Sequence, residues 1–145
     1  MPAIALVGAT GKMGRALVRA ATERADVRIC GAAASPGSRH LDQDIGVVAG
    51  HKALGVRVTS DLAAALGDAQ VAIDFALAAD LEARARAVAA AGCAWILGTT
   101  GLNSVQRSAI DAAAKKVAVL VSPKGDVLGT AHRGALRTGI TPSTL

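Results

Sequence analysis

The chain has 145 residues, of which 52% are hydrophobic and 19% are charged, and its formal net charge is +5. This length allows one core of ordinary size, and no apolar run approaches the roughly 20 residues that a membrane-spanning helix requires. The basic residues are scattered and the only aromatic residues are Phe75 and Trp95, which argues against the stacking surfaces of single-strand nucleic-acid binders. Gly8 comes too early for a signal peptide. We therefore expect a soluble, cytoplasmic protein that binds neither nucleic acid nor membrane.

The cysteines and histidines form no metal-binding pattern. Cys30 and Cys93 stand in apolar runs far apart in the sequence, unlike the closely spaced pairs of zinc and redox sites. His40, His51 and His132 fall in three separate segments that are predicted as loops. We expect no metal site, with both cysteines in the core and the histidines at the surface.

Short apolar runs alternate with segments of helical periodicity along most of the chain. In chain order they predict a strand at 3–7, a helix at 11–24, a strand at 27–34, a loop from 35 to about 50, a strand at 56–59, a helix from 60 or 61 to about 67, a strand at 71–75, a helix at 78–91, a strand at 94–97, a helix at 104–116 and a strand at 117–121. Met13 is expected on the buried face of the first helix. Gly92 should end the third helix, and Lys115 and Lys116 should lie in the last turn of the fourth.

Six strands that alternate with helices predict parallel pairing, because each return to the same edge of a sheet requires a helical crossover. The strands are continuously apolar, which is typical of a sheet covered on both faces. The predicted fold class is a doubly wound, Rossmann-like α/β domain over residues 1–123. Residues 124–145 contain spaced glycines without a sustained period, and we expect an irregular tail outside the core.

A glycine-rich segment joins the first predicted strand to the first helix. There Gly8 would permit a tight turn, Gly11 would let the backbone approach a pyrophosphate, and Gly14 would allow close packing of helix on strand. A phosphate-loop nucleoside triphosphatase fits poorly, because Lys12 follows Gly8 too closely and Met13 stands where a metal-binding hydroxyl is needed. The segment predicts dinucleotide-binding residues at Gly8, Ala9, Thr10, Gly11, Lys12, Met13 and Gly14. The same glycines would also suit a purely structural turn.

The end of the second strand bears on cofactor selectivity. In dinucleotide-binding folds this position holds an acid for the ribose of NAD, or accommodates the 2′-phosphate of NADP. Here Ala34 stands in place of an acid, and Ser35, Ser38 and Arg39 follow. We predict that Ser35 and Arg39 bind the cofactor, with NADPH favoured over NADH. Serines beside Pro36 are equally typical of an ordinary turn.

A GTTG segment at 98–101 follows the fifth predicted strand. Its place at the carboxyl edge of the sheet, beside the glycine-rich turn, predicts that Gly98, Thr99 and Thr100 contact the nicotinamide half of a cofactor. Alternatively, the threonine hydroxyls could cap the helix that begins near Ser104. The chain has no tyrosine, which excludes the Tyr and Lys pair of short-chain dehydrogenases.

In order and spacing, these motifs resemble the dihydrodipicolinate reductase family. The resemblance covers about residues 3–123 and is carried by ALVGATGKMGR at 5–15, PGS at 36–38, QDIG at 43–46, IDF at 73–75 and ILGTTG at 96–101. It implies an NAD(P)H-dependent enzyme, homo-oligomeric in the family, that reduces a dihydrodipicolinate-type imine in lysine and diaminopimelate biosynthesis. It also implies that residues 8–13 hold the pyrophosphate, that residues 98–100 lie at the nicotinamide, and that Ser122 and Pro123 begin another cofactor-contacting loop.

The chain departs from the family pattern at two places. Ala34 and Ser35 replace the acid and the basic neighbour usual after the second strand, which leaves the choice between NADPH and NADH open. After Pro123 the family's substrate-domain motifs, which include paired histidines and a lysine, are not recognisable. We therefore expect a frameshifted, deleted or fragmentary chain that binds the cofactor without turnover and whose catalytic residues are unknown. An inactive NAD(P)-binding or sensor module is the alternative.

Overall fold

The computed structural model describes residues 2–77, 79–98 and 102–121. Within these residues the elements follow the order β1 (Ala3–Val7), α1 (Lys12–Thr22), β2 (Arg28–Ala33), α2 (Ile45–Val48), β3 (Val58–Thr59), α3 (Leu62–Leu66), β4 (Val71–Asp74), α4 (Leu81–Ala91), β5 (Ala94–Leu97), α5 (Ser104–Ala114) and β6 (Val119–Val121). The strands form one parallel sheet in the order β3-β2-β1-β4-β5-β6. The predicted doubly wound α/β fold is confirmed.

The strand order reverses beside β1. From β1 the chain moves outward through β2 to β3, then returns to place β4 on the other side of β1 and continues outward through β5 to β6. In such sheets ligands bind outside the carboxyl ends of the strands, at the point where the order reverses. That point lies between Val7 at the end of β1 and its partner Asp74 at the end of β4.

Two apolar layers cover the sheet, because neighbouring residues of a strand point to opposite faces. On one face Ile4 and Leu6 of β1 pack with Leu17 and Val18 of α1. On the other face Trp95 of β5 packs with side chains from the three later helices, among them Leu66, Val88 and Ile110. β1, β4 and β5 are buried along their whole length. The strand ends at the reversal point are therefore held by strands that are packed on both faces.

The loop predicted for 35–50 contains a short helix, α2, that the sequence pattern did not indicate. Its four residues follow Asp44, whose carboxylate accepts hydrogen bonds from the backbone N–H groups of Gly46, Leu54 and Gly55 at 2.8, 2.9 and 2.7 Å. The hydrogen bond from Leu54 is the main cause of a lowered pKa at Asp44. A helix of one turn is too short to show a 3.6-residue period in the sequence. The Asp44 carboxylate holds this segment together through its hydrogen bonds to the start of α2 and to residues 54 and 55.

The first helix and the outer strands differ in detail from the prediction. Met13 is 37% exposed, so its predicted place on the buried face of α1 is wrong. Gly14, the next residue, is buried there instead. β3 is shorter than predicted, while Asp61 caps α3 as expected, its carboxylate accepting from the N–H of Ala64 at 3.2 Å.

The later helices also differ at their ends. α4 begins at Leu81 rather than at 78, and the preceding Asp80 has a φ of +63°. Gly92, with a φ of +74°, ends α4 as predicted. The expectation of a cationic last turn in α5 is wrong, because the helix ends before Lys115 and Lys116.

The cysteines and histidines follow the prediction in part. Cys93 is buried, and burial raises its thiol pKa to about 11. Cys30 is only half-buried, because the first half of β2 is less well covered than the second. His51 is exposed and His40 is half-buried, while His132 lies outside the described residues. No helix in the described part of the chain is long and apolar enough to cross a membrane.

Candidate functional site

The glycine-rich turn after β1 is held tightly against its neighbours. Gly8 has a φ of +78°, and a Cβ built on it would lie 2.8 Å from the backbone nitrogen of Ala76. The N–H groups of Gly8 and Ala9 both donate to the carbonyl oxygen of Ala33, at 3.0 and 3.1 Å. The turn therefore requires glycine at position 8 and is fastened to the end of β2.

Gly14 allows α1 to approach that turn closely. A Cβ on Gly14 would lie 2.5 Å from the carbonyl oxygens of both Gly8 and Ala9, well inside van der Waals contact. Leu17 and Val18 continue the buried face of the helix. Close packing of α1 on the turn accounts for this glycine without any ligand.

Gly11 has no such explanation within the described protein. It is exposed, its φ is −73°, and the nearest atom to a Cβ built on it is the carbonyl oxygen of Gly8, at an unstrained 3.5 Å. Gly11 is the N-cap of α1 and has no side chain to accept from the first-turn N–H groups. Lys12 and Met13, which open the helix, are exposed, and Thr10 is half-buried. The turn thus presents backbone donors at an open, positively polarised helix end.

Arg15 adds an unsatisfied donor close to this helix end. Its N–H donates to the carbonyl oxygen of Gly11 at 2.9 Å, which places it one helical turn after the N-cap. Its side-chain Nε is buried and has no hydrogen-bond partner among the described residues. An anionic ligand would suit the uncapped N–H groups at this helix end.

The end of β2 places small and basic groups at the same edge of the sheet. β2 ends at Ala33, one residue earlier than predicted, and Ser35 and Arg39 are both exposed. The ordinary turn is present as well, since the N–H of Ser38 donates to the carbonyl oxygen of Ser35 at 3.0 Å. The turn therefore leaves the Arg39 side chain on the surface.

The end of β5 meets the end of β4. The N–H of Gly98 donates to the carbonyl oxygen of Asp74 at 2.9 Å, and a Cβ at position 98 would overlap the ring of Phe75. A side chain at position 98 would therefore require the Phe75 ring to move. Thr99 and Thr100, like Ser122 and Pro123, lie outside the described residues.

The alternative role for the GTTG segment, as the cap of α5, is wrong. Asn103 is the N-cap, and its side chain accepts from the N–H of Gln106 at 2.8 Å. The Gln106 side chain accepts in return from the N–H of Asn103 at 2.9 Å. This reciprocal capping box places the N-cap of α5 at Asn103, after the GTTG segment.

The parallel sheet brings these segments together. β1, β2, β4 and β5 all run in the same direction, so the residues after their carboxyl ends lie along one edge. The sequence-predicted residues at 8–14, Ser35 and Gly98 share that edge. Its order across the sheet is the turn after β2, the glycine-rich turn, and then the ends of β4 and β5.

Residues 2–124 match the protein family described as dihydrodipicolinate reductase, N-terminus. The match covers most of the chain and contains every segment of this edge. The chain belongs to that family.

Curated relatives agree with this membership, and one solved structure shares the fold. The chain is 38% identical over 120 residues to the 4-hydroxy-tetrahydrodipicolinate reductase of Ruegeria pomeroyi, covering 83% of this chain and 45% of that protein. It is 38% identical over 138 residues to the same enzyme of Halorhodospira halophila, covering 95% and 48%. The dipicolinate-bound dihydrodipicolinate reductase of Paenisporosarcina sp. TG-14 superposes with a TM-score of 0.65 at 18% identity, over 85% and 47%. The chain thus spans about half the length of these relatives.

In this member of the dihydrodipicolinate reductase family, a buried ion pair at the end of β4 was not predicted. Asp74 is fully buried and Arg84 of α4 is 7% exposed, and Arg84 Nε donates to Asp74 Oδ2 at 2.7 Å. The same Oδ2 accepts from the indole Nε1 of Trp95 at 3.2 Å. Burial raises the pKa of Asp74, which the Arg84 guanidinium opposes.

A signal for this pair was present in the sequence. Leu81, Ala85 and Val88 form the buried stripe of α4, and Arg84 stands within it. An arginine at an apolar position of a helix predicts a buried partner, since unpaired charges are excluded from cores.

Two cavities lie elsewhere on the described surface. A cavity of about 260 Å³ lies between the end of α1 and residues 51–54, and one of about 460 Å³ lies between α4 and α5. Neither cavity is lined by residues of the glycine-rich turn. Within residues 2–77, 79–98 and 102–121, no three His, Cys, Asp or Glu side chains are grouped to hold a metal ion.

Proposed function

We propose that this chain binds NADPH or NADH along the carboxyl edge of its sheet, with residues 1–123 as the dinucleotide-binding unit. The observation that carries the proposal is Gly11, which neither backbone strain nor neighbouring protein atoms require to be glycine. A side chain there would occupy the space in front of the helix N-terminus. In Rossmann-like folds that space holds the pyrophosphate.

The residues of the glycine-rich turn would hold the dinucleotide in different ways. Gly8 and Gly14 shape the turn and seat α1, and the backbone of Ala9 and Thr10 forms its floor. Lys12 is exposed at the helix start, where its charge favours phosphate. Met13 would contact the cofactor from the same exposed turn.

The two halves of the cofactor would extend to either side of this turn. We assign the adenosine side to Ser35 and Arg39, because no acid occupies the end of β2 and a 2′-phosphate meets a cation there. The nicotinamide side falls to Gly98, and by family resemblance to Thr99, Thr100, Ser122 and Pro123. On this assignment NADPH is preferred to NADH.

The reaction we propose is the one named for the relatives, reduction of a dihydrodipicolinate-type imine in lysine and diaminopimelate biosynthesis. The bound nicotinamide supplies the hydride. The described residues of this chain would bind and orient the dinucleotide, and we assign none of them to substrate binding or proton delivery. Because catalysis needs the substrate fixed over the nicotinamide, we propose that this chain by itself binds cofactor without turnover.

Substitution at Gly11 tests the cofactor site. Gly11→Asp places a carboxylate against the pyrophosphate, and NADPH affinity is expected to fall about tenfold or more, at least ~1.4 kcal/mol. Gly11→Asn has nearly the same shape without the charge and should lose clearly less. Titration calorimetry, or energy transfer from the single tryptophan to NADPH, measures both.

The same variants control for folding. Asp and Asn are better N-caps than Gly by a few tenths of a kcal/mol, so both proteins should melt at or above the wild-type temperature. Lower affinity with undiminished stability identifies a ligand contact. Equal NADPH affinity in wild type and Gly11→Asp, or no binding by the wild type, would remove the site from this turn.

A further inference from the structure

Arg84 does more than neutralise Asp74. Its Nε bonds the carboxylate, but its two terminal nitrogens donate to backbone carbonyl oxygens of the segment between β4 and α4. These acceptors are Ala79, at 2.8 Å, and Leu77, also at 2.8 Å. The other carboxylate oxygen of Asp74 accepts from the N–H of Ala76 at 3.0 Å. One ion pair therefore fastens residues 76, 77 and 79 to the end of β4.

The fastened segment lies between the two glycine segments of the site. Its backbone at Ala76 limits the space at Gly8, and the ring of Phe75 packs over Gly98. On the far side Asp80 adopts a left-handed conformation, which costs a non-glycine residue energy and persists only where neighbours enforce it. Residues 76, 77 and 79 are thus hydrogen-bonded to the end of β4 and to Arg84, beside the glycine-rich turn.

Leu77 stands on this segment with 83% of its surface exposed. Its carbonyl is fixed by Arg84 while its side chain lies free at the edge where the dinucleotide is proposed to bind. An apolar side chain on a fixed backbone suits contact with a flat ring or a ribose.

We infer that Arg84 is a positioning residue, which holds the β4–α4 segment in place so that Leu77 contacts the bound dinucleotide. The inference rests on the proposed function. A purely stabilising pair would need only the Arg84–Asp74 contact, whereas two of the three bonds of this guanidinium go to the segment. Preorganisation of this kind improves affinity because less ordering remains to be done on binding.

Arg84→Lys separates the two roles. Lysine keeps a cation beside Asp74, but one ammonium lacks the planar fork that reaches the carboxylate and both carbonyls. At a temperature where circular dichroism shows the variant fully folded, NADPH affinity should fall about five- to tenfold. Hydrogen exchange should quicken at the amides of residues 76, 77 and 79 and stay unchanged in β5. The matched control is Arg86→Lys, an exposed position on the same helix, which should change neither quantity.

Leu77→Ala tests the contact without risk to the fold. Its affinity for NADPH should fall roughly three- to tenfold, with unchanged hydrogen exchange in the segment. Val105→Ala, at a position that is 62% exposed on α5, should match the wild type. In the Arg84→Lys background the Leu77→Ala loss should shrink, because the two substitutions act on one contact.

The outcomes separate this inference from the function on which it rests. If the wild type does not bind NADPH, both fail. If it binds and Leu77→Ala binds equally well, the inference alone is overturned, even where the Arg84 variants do not fold. A folded Arg84→Lys protein with quickened exchange and wild-type affinity overturns it too. Losses in both variants together with non-additivity support it.

Discussion

Gly14→Ala is expected to destabilise the protein although alanine is the better helix former. The new Cβ would lie 2.5 Å from the carbonyl oxygens of Gly8 and Ala9, about 0.9 Å inside the ordinary 3.4 Å contact. These atoms are backbone, and the turn that carries them is hydrogen-bonded to Ala33. The turn and α1 therefore cannot move apart without losing hydrogen bonds or packing. Overpacking of this kind costs ~1–3 kcal/mol, and alanine returns ~1 kcal/mol of helix propensity. Because the contact is with fixed backbone, the upper end of the overpacking range applies, ~3 kcal/mol, and a net loss of about 2 kcal/mol remains after the gain in helix propensity.

Urea and thermal unfolding, followed by the fluorescence of the buried Trp95, measure this loss. A change of about 2 kcal/mol corresponds to a melting temperature lower by roughly 4–8 °C in a chain of this length. Gly67→Ala is the matched control, because Gly67 has a helical φ of −52° and its nearest Cβ contact is an ordinary 3.4 Å. A Gly14→Ala protein as stable as the wild type would refute the steric account of this glycine.

Two further predictions concern charge. Arg39→Ala should weaken NADPH binding more than NADH binding. Arg28→Ala, at the exposed start of β2, should affect neither. A titration in which NADH is clearly preferred and Arg39→Ala changes nothing contradicts the assignment. Asp44→Asn should lower the free energy of unfolding at neutral pH by about 1–2 kcal/mol, because asparagine keeps one acceptor oxygen but turns an NH2 group towards the N–H of Gly55, which donates to Asp44 Oδ2 at 2.7 Å. The Asp44 pKa is lowered in the folded state, first by the Leu54 N–H, so its contribution is present above its unfolded pKa of about 4 and lost as pH falls through the folded value. In urea denaturation, the free energy of unfolding of the wild type should therefore fall more over that acidic range than that of Asp44→Asn. Equal losses in the two proteins would contradict the assignment of this pH dependence to Asp44.

The fold could be predicted because its signals are local and repeated. Each buried parallel strand needs a continuous apolar run, and each crossover needs a helix, so the alternation of the two fixes the class of sheet. Parallel direction then places the ends of β1 and β5 on one edge, and with them Gly8 and Gly98. Nothing beyond the order of elements was needed to bring these two positions together.

The sequence could not supply contacts that depend on distance in space. No local sequence pattern predicts that the carboxylate of Asp44 accepts from the N–H groups of Leu54 and Gly55 and stabilises α2. Likewise the lack of room for a side chain at position 98 comes from the ring of Phe75, which directly follows the neighbouring strand β4. In both cases one side chain meets a segment that only the folded sheet places beside it.

The Asp74–Arg84 pair is better explained by a role in positioning the backbone than by a role in stabilising the core. Removing two charges from water costs several kcal/mol per ion, and apolar residues of similar volume often stabilise a protein at least as well. A pair kept for stability alone would gain little from standing at the end of β4. An apolar substitute could fill the space, but it could not hold the carbonyl oxygens of Leu77 and Ala79 at a defined place. The burial of this pair at the carboxyl edge of the sheet, where we propose that the dinucleotide binds, is therefore better explained by the positions in which it holds residues 77 and 79 than by the free energy it adds to the fold.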